Sequence, residues 1–192
     1  MAMSSPDSRR GGARRKKVLW AWGPVAARPW KESLVAGVGG FVAIFALASA
    51  RADLGANVLI APFGASRVLV FAIPQSPLAQ PRNVIGGHLI STAAGLSVFC
   101  LLGQTPLAFA LGVGLAITAM LLTGTVHPPA GADPIVVIFA SASWPFLFAP
   151  VLVGTICIVL LGAGFHRWVT RKSYPLDALG VSAALLGGTK AK

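Results

Sequence analysis

Between residues 33 and 165 the chain carries only five charged side chains, Arg51, Asp53, Arg67, Arg82 and Asp133. A water-soluble fold needs far more, since an average soluble domain is about 25% charged. Over the whole chain the charged fraction is 11% and the hydrophobic fraction 55%, with 22 glycines besides. Stretches 33–50, 84–103, 106–123 and 145–165 approach the roughly 20 apolar residues that cross a bilayer. The pattern excludes a soluble enzyme, a disordered chain and a secreted disulfide scaffold. It points to an integral membrane protein.

The remaining charge sits at the ends. Of 16 Lys and Arg, eight lie in residues 1–31 and five in 166–192. A net charge of +11 suggests nucleic acid at first sight. Basic residues flanking apolar spans have a simpler reading: they stay on the cytoplasmic side and lie against anionic headgroups. Three regions are therefore expected: a basic cytoplasmic tail over 1–31, a transmembrane domain over 32–165, and a second basic tail over 166–192. Trp20, Trp22, Trp30, Trp168 and Tyr174 fit an interfacial aromatic belt. Residues 1–31 are read as a retained tail rather than a cleaved signal, because Gly23-Pro24 interrupts the apolar run and no polar domain follows. Cys100 and Cys157 sit alone in apolar segments without metal-binding spacing, so neither a metal nor a cofactor is expected.

Two further apolar stretches are broken. Residues 54–73 carry Pro62 and Gly64 at their middle. Residues 126–143 open with His127-Pro128-Pro129 and continue through Asp133-Pro134. A residue preceding proline is pushed out of the helical region, so helices are expected to stop there. Both stretches read Pro-x-Gly-Ala followed by Ser66 or Asp133. Ser66 and Asp133 are expected as N-caps, with Pro134 at the first helical position. The fold class expected is an all-α polytopic membrane protein: four full transmembrane helices plus two Pro/Gly-broken half-helix segments. The likeness of the breaks suggests a two-fold internal repeat, 33–103 and 106–165. Basic ends require an even number of crossings. If the broken stretches turn back there are four. If they cross there are six, the loops on the side of the termini gain Arg82 and His127, and the repeats are inverted. Small residues four apart, Gly87-Ser91-Gly95 and Ala108-Gly112-Ala116, let backbones approach closely. So small a bundle is expected to form a homo-oligomer.

The stretch Thr125-Val-His-Pro-Pro-Ala-Gly-Ala132 resembles the signature of the HPP family of integral membrane proteins, named for its His-Pro-Pro. Pro62-Phe-Gly-Ala-Ser66 and Ser76-Pro-Leu-Ala-Gln-Pro-Arg-Asn-Val-Ile-Gly-Gly-His-Leu89 resemble the same family. The resemblance covers about 34–165 and implies a bacterial or plastid membrane protein described as having four transmembrane helices. It also implies nitrite as a substrate class, since cyanobacterial and chloroplast members are associated with nitrite transport. The chain departs from the family pattern at Arg67, where a small residue is usual.

Broken helices place unpaired N–H groups and about half a positive charge inside the membrane, where an anion has no water. Gly64, Ala65, Ser66, Gly131 and Ala132 are therefore expected to cradle an anion, with Pro62, Pro128, Pro129 and Pro134 making the breaks. An intramembrane charge costs at least about 2.5–3.5 kcal/mol, so Arg67 needs a role: anion contact, snorkelling, or pairing with Asp53 or Asp133. His127 and His88 titrate near neutrality and are expected, with Asp133, to gate or couple transport; helix capping for His127 and an interfacial place for His88 are the plainer readings. Gln80, Arg82 and Asn83 belong to a Pro-rich loop that either docks on the bundle or stays solvated. The function expected is a transporter or channel for a small monovalent anion in a bacterial inner membrane, with both termini cytoplasmic. A non-transporting scaffold or sensor acting through its basic tails is the alternative. No nucleophile–base pair at useful spacing argues for an enzyme, and nucleic acid is not an expected partner.

Overall fold

In a computed structural model of the chain, residues 27, 29–54 and 60–176 are described, with backbone only for 50–54. The expected features of the N-terminal tail, including Trp20 and Trp22, lie outside the described residues, as do the side chains of Arg51 and Asp53 and the tail from 177 onward.

Among the described residues every regular element is helical. Helix α1 spans Trp30–Leu54. Helix α2 spans Ala61–Arg67 and widens into a π-helical turn, Val68–Ala72. Helices α3 (Pro81–Leu102) and α4 (Pro106–Thr123) form a hairpin. Both begin with proline in the first turn, where its missing N–H costs nothing, and the Thr105 side chain caps α4 by accepting from Ala108 N at 3.1 Å. Gly103 and Gly124 end these helices at φ of 60° and 64°, a backbone region that glycine enters without strain. A 3-10 turn, Pro128–Ala132, runs directly into α5, Asp133–Phe139. The last long helix starts irregularly around Pro150 (Leu147–Leu152), continues as α6 (Val153–Phe165) and closes in a π turn, His166–Thr170.

Four helices are long and apolar enough to cross a membrane: Trp30–Ser49, Pro81–Leu102, Pro106–Thr123 and Leu147–Thr170. The broken stretches give the shorter apolar helices Ala61–Ala72 and Pro128–Phe139. Each has about 12 residues and so reaches roughly 18 Å, well short of the ~30 Å hydrocarbon core. The order long–short–long thus occurs twice.

Contacts between elements fix their directions. The start of α1 meets the chain's C-terminal part, where Lys172 Nζ lies 3.4 Å from Glu32 Oε2. At the same end Gln75 donates to Ser173 O at 2.8 Å, and Arg82, opening α3, donates to Thr123 O closing α4 at 2.9 Å. This is the basal end. At the distal end Gln104, between α3 and α4, donates to Phe139 O at 3.0 Å. The first short helix runs antiparallel to α1: Gly39 packs on Phe71, and Arg67 reaches Ala43 O. The second runs parallel to α3, with His127 beside Gly87 and Pro134 beside Gly95. The chain therefore travels between the two ends six times, in four full helices and two partly helical segments. The α1–α3 half is inverted relative to the α4–α6 half.

The small-residue stripes have a more specific use than expected. A Cβ on Gly95 would lie 2.6 Å from Pro134 Cα, one on Gly87 2.7 Å from His127 Cβ, and one on Gly112 3.1 Å from Pro134 Cβ. The groove between α3 and α4 is thus floored with glycine to admit the second broken segment. The last helix runs to Thr170, past the tail boundary expected at 165/166. Trp30 and Trp168 are exposed as a belt requires, but Tyr174 is buried, with its hydroxyl donating to Ala79 O at 3.0 Å. It fastens a loop instead of sitting at the interface.

Candidate functional site

Both short helices begin earlier than the expected caps. Proline's fixed φ suits a helix start and its missing N–H is no loss there. Extended Ile60 therefore precedes α2 with Pro62 in the first turn, and extended His127 precedes Pro128-Pro129. Ser66 and Asp133 consequently lie past the helix starts and cap nothing; Ser66 Oγ lies 3.1 Å from Pro62 O, one turn back. Of the residues expected to cradle an anion, Gly64 and Arg67 line one cleft, described below, but not through unpaired helix-end amides. Gly64, Ala65, Ser66, Gly131 and Ala132 follow the first four amides, the ones a helix leaves unpaired. Gly64, Ala65 and Ala132 are exposed, Gly131 is half-buried, and a Cβ on either glycine would meet nothing within 4 Å.

Their neighbours assemble something else. The two short segments pack against each other and turn Ser66 and Asp133 inward onto one histidine of α3. His88 Nδ1 lies 2.7 Å from Asp133 Oδ2, and His88 Nε2 lies 2.8 Å from Ser66 Oγ. Ser66 Oγ is also 2.9 Å from His127 Nε2, and His127 Nδ1 is 2.8 Å from Leu78 O. All four side chains are fully buried. Five polar groups thus form one chain, running from mid-bundle at Asp133 to the basal loop at Leu78. The two imidazoles meet edge-on at 5.0 Å, and Phe63 closes on His88 at 5.3 Å. Beyond Asp133, its Oδ1 and Thr92 Oγ1 are both buried, with Thr92 the side chain nearest to satisfying the carboxyl's second oxygen.

The basal loop over this chain is itself fastened. Gln80 Nε2 donates to Pro74 O and Ser76 O at 2.9 Å, and its Oε1 accepts from Leu176 N at 2.8 Å. Asn83 donates to Val126 O at 2.8 Å. Gln80, Arg82 and Asn83 thus dock the loop on the bundle.

Arg67 stands beside Ser66 but serves another space. It is 3% exposed and donates from Nη1 to Phe63 O at 3.0 Å and from Nη2 to Ala43 O at 3.4 Å. Its Nε has no partner, and among the described residues no carboxylate pairs with it. It does not pair with Asp133, whose partner is His88. Arg67 lines a cleft of about 920 Å³ between α1 and the first short segment, together with Gly40, Ile44, Gly64, Lys31, Glu32 and Lys172.

Asp133, His88 and Ser66 stand in the order of an acid–base–nucleophile triad. Such a triad needs space for a substrate at the nucleophile. Here Ser66 Oγ is fully buried between two imidazoles and the Pro62 carbonyl, and neither of the two clefts along α1 is lined by it. What the arrangement can do is hold and pass protons. Among the described residues no three His, Cys, Asp or Glu side chains are grouped to hold a metal ion.

Several participants went unnoticed in the sequence. Leu78 contributes only a carbonyl, which no side-chain pattern announces. Thr92, and Ser91, which donates to Ala130 O at 2.5 Å, were legible: His88, Ser91 and Thr92 form a polar stripe at helical spacing in an apolar span. His166 links Val70 O at 2.8 Å and Thr170 Oγ1 at 2.7 Å, serving a carbonyl in the π turn.

Fold and site together define a polytopic α-helical membrane protein with two inverted halves whose broken segments meet at a buried polar chain. Residues 25–175 match the transmembrane region of the HPP family, and the chain belongs to that family. It is similar to two transmembrane proteins of Dictyostelium discoideum. One is 37% identical over 132 residues, covering 65% of this chain and 46% of the relative. The other is 37% identical over 126 residues, covering 62% and 40%. The chain thus spans less than half the length of these relatives. No solved structure matches it.

Proposed function

We propose that the protein carries a small monovalent anion, nitrite by family resemblance, across the membrane, and that transport rather than catalysis is its activity. The observation that carries this reading is Arg67: a buried guanidinium with no carboxylate partner among the described residues, lining a cleft that also holds Lys31 and Lys172. A fixed cation in a low-dielectric interior attracts an anion far more strongly than one in water, and the two lysines raise the local anion concentration. Among the described residues lining the cleft, Arg67, Lys31 and Lys172 outnumber the one carboxylate, Glu32. Inverted halves with broken segments are the architecture of many carriers, which supports movement of the halves around a central site. The basal end gathers Lys31, Arg82, Arg171 and Lys172, so the charge rule makes it the cytoplasmic end.

The test is flux into liposomes containing purified protein. Nitrite uptake should exceed that of protein-free vesicles, and Arg67→Gln should cut it at least tenfold with insertion unchanged. Folded wild-type protein that moves no nitrite, nitrate or formate at any voltage would leave the scaffold reading in its place.

A further inference from the structure

The buried chain can be counted for protons. Its four links, Asp133–His88, His88–Ser66, Ser66–His127 and His127–Leu78, are 2.7, 2.8, 2.9 and 2.8 Å long. Ser66 has one hydroxyl hydrogen, and the longer contact to Pro62 O, at 3.1 Å, competes for it; with that hydrogen turned into the relay, each of the four links needs one. Neutral His88, neutral His127 and Ser66 beside an ionised Asp133 supply three. The fourth is an additional proton, and three positions for it satisfy every link. On Asp133, it gives a carboxylic acid facing neutral His88. On His88, it gives an imidazolium–carboxylate pair. On His127, it gives an imidazolium that donates to Ser66, which donates in turn to His88. In all three the Leu78 carbonyl accepts from His127 Nδ1, and the cluster's total charge is zero. Without the additional proton the cluster carries −1 and one link is empty, which a fully buried site does not tolerate cheaply.

We infer that Asp133, His88, Ser66 and His127 form a proton-binding relay whose one additional proton crosses the membrane together with the anion. This rests on the transport reading above and specifies its coupling. The reason is the charge balance between neighbours. Ser66 of the relay and Arg67 of the cleft are adjacent residues of α2. With anion and proton both bound, Arg67 is neutralised and the relay is neutral. With both absent, cationic Arg67 balances the anionic relay. With only one bound, a net unit charge stays buried in the bundle. Movement of the halves is cheapest in the two balanced states, so the stoichiometry is one proton per anion. Among the described residues, the titratable groups facing the relay are Asp133 from α5, His88 from α3 and His127 from the turn before Pro128. Helix α4 brings no titratable side chain, and α6 brings only Cys157, which lies near Arg67.

Two measurements test this. In liposomes with a trapped pH dye, an inward nitrite or nitrate gradient should drive protons inward faster than in protein-free vesicles, and anion flux should not respond to an imposed voltage. Asp133→Asn and His88→Gln should abolish the proton movement. Anion flux that follows voltage and ignores a pH gradient overturns the coupling while leaving the anion reading intact. The second measurement needs no transport. Nitrogen NMR of histidine-labelled protein, with the infrared carbonyl band of Asp133 assigned by Asp133→Asn, counts the relay's protons near neutral pH. One doubly protonated histidine or a protonated Asp133 is expected. Two singly protonated histidines beside an ionised Asp133 overturn the relay. Absence of all anion flux from folded protein removes the coupling together with the transport reading, and the proton count then decides the relay alone.

Discussion

Ser66 and Asp133 occupy corresponding places in the two broken segments, and each holds one nitrogen of the same imidazole, His88. The repeat likeness Pro-x-Gly-Ala-(Ser/Asp) pointed at these residues, though for a different reason. They were expected to cap helices, and they face inward instead because the prolines start each helix earlier. The role of His88 follows from where it stands. Removing it strands a buried carboxylate, and loss of one partner of such a pair costs about 3–5 kcal/mol. His88→Ala should therefore destabilise the protein by about that amount, far more than Cys100→Ala on the exposed side of the same helix. Thermal unfolding in detergent compares the two, and equal stability of both variants would show that the Asp133–His88 pair contributes nothing.

At the scale of elements, the C-terminal segment behaves as a strap. Ser173, Tyr174 and Leu176 each bond to the loop 75–80 that covers the His127 end of the relay. The sequence placed Tyr174 at the membrane interface because an aromatic residue after a span commonly sits there. Only the folded chain shows that Ala79 O lies within its reach. Losing a single neutral hydrogen bond costs about 1 kcal/mol, so Tyr174→Phe should speed hydrogen exchange in 75–80 and leave α3 and α4 unchanged. Burial also pushes the Tyr174 phenol above its ordinary pKa, which is about 10. The folded state therefore holds its proton when the unfolded state has lost it. The stability this contributes is intact below about pH 10 and falls as pH rises toward the raised folded value. Alkaline melting should show this fall in the wild type and not in Tyr174→Phe; identical profiles would mean the buried phenol is not what titrates.

Over the whole molecule the question of four or six passages turns on the broken segments. By length alone they are too short to cross as helices, yet the contacts at each end place their neighbours at opposite ends of the bundle. The sequence charge pattern agrees with six, because Arg82 then joins the basic end. In a background with Cys100 and Cys157 replaced by alanine, cysteines at Gln75 and Ser173 should label from one side of the membrane and a cysteine at Gln104 from the other. Labelling of Gln75 and Ser173 from opposite sides would restore the four-crossing arrangement.

The sequence by itself determined the membrane setting, the four long helices, the positions of the two breaks and the likeness of the halves. These are local properties: run length, proline, glycine and the placement of charge act within a few turns of chain. It also singled out Ser66, Arg67, His88, His127 and Asp133 as polar groups that an apolar interior must accommodate. Tertiary structure alone decided who meets whom. It sent Arg67 to a cleft against α1 rather than to Asp133, joined Ser66, His88, His127 and Asp133 into one chain, and left Gly64 and Gly131 outside it. The reason is that helix rotation and the closeness of α5 to α3 and α4 are set by packing at Gly87, Gly95 and Gly112. Those contacts join residues far apart in the chain, and no local pattern encodes them.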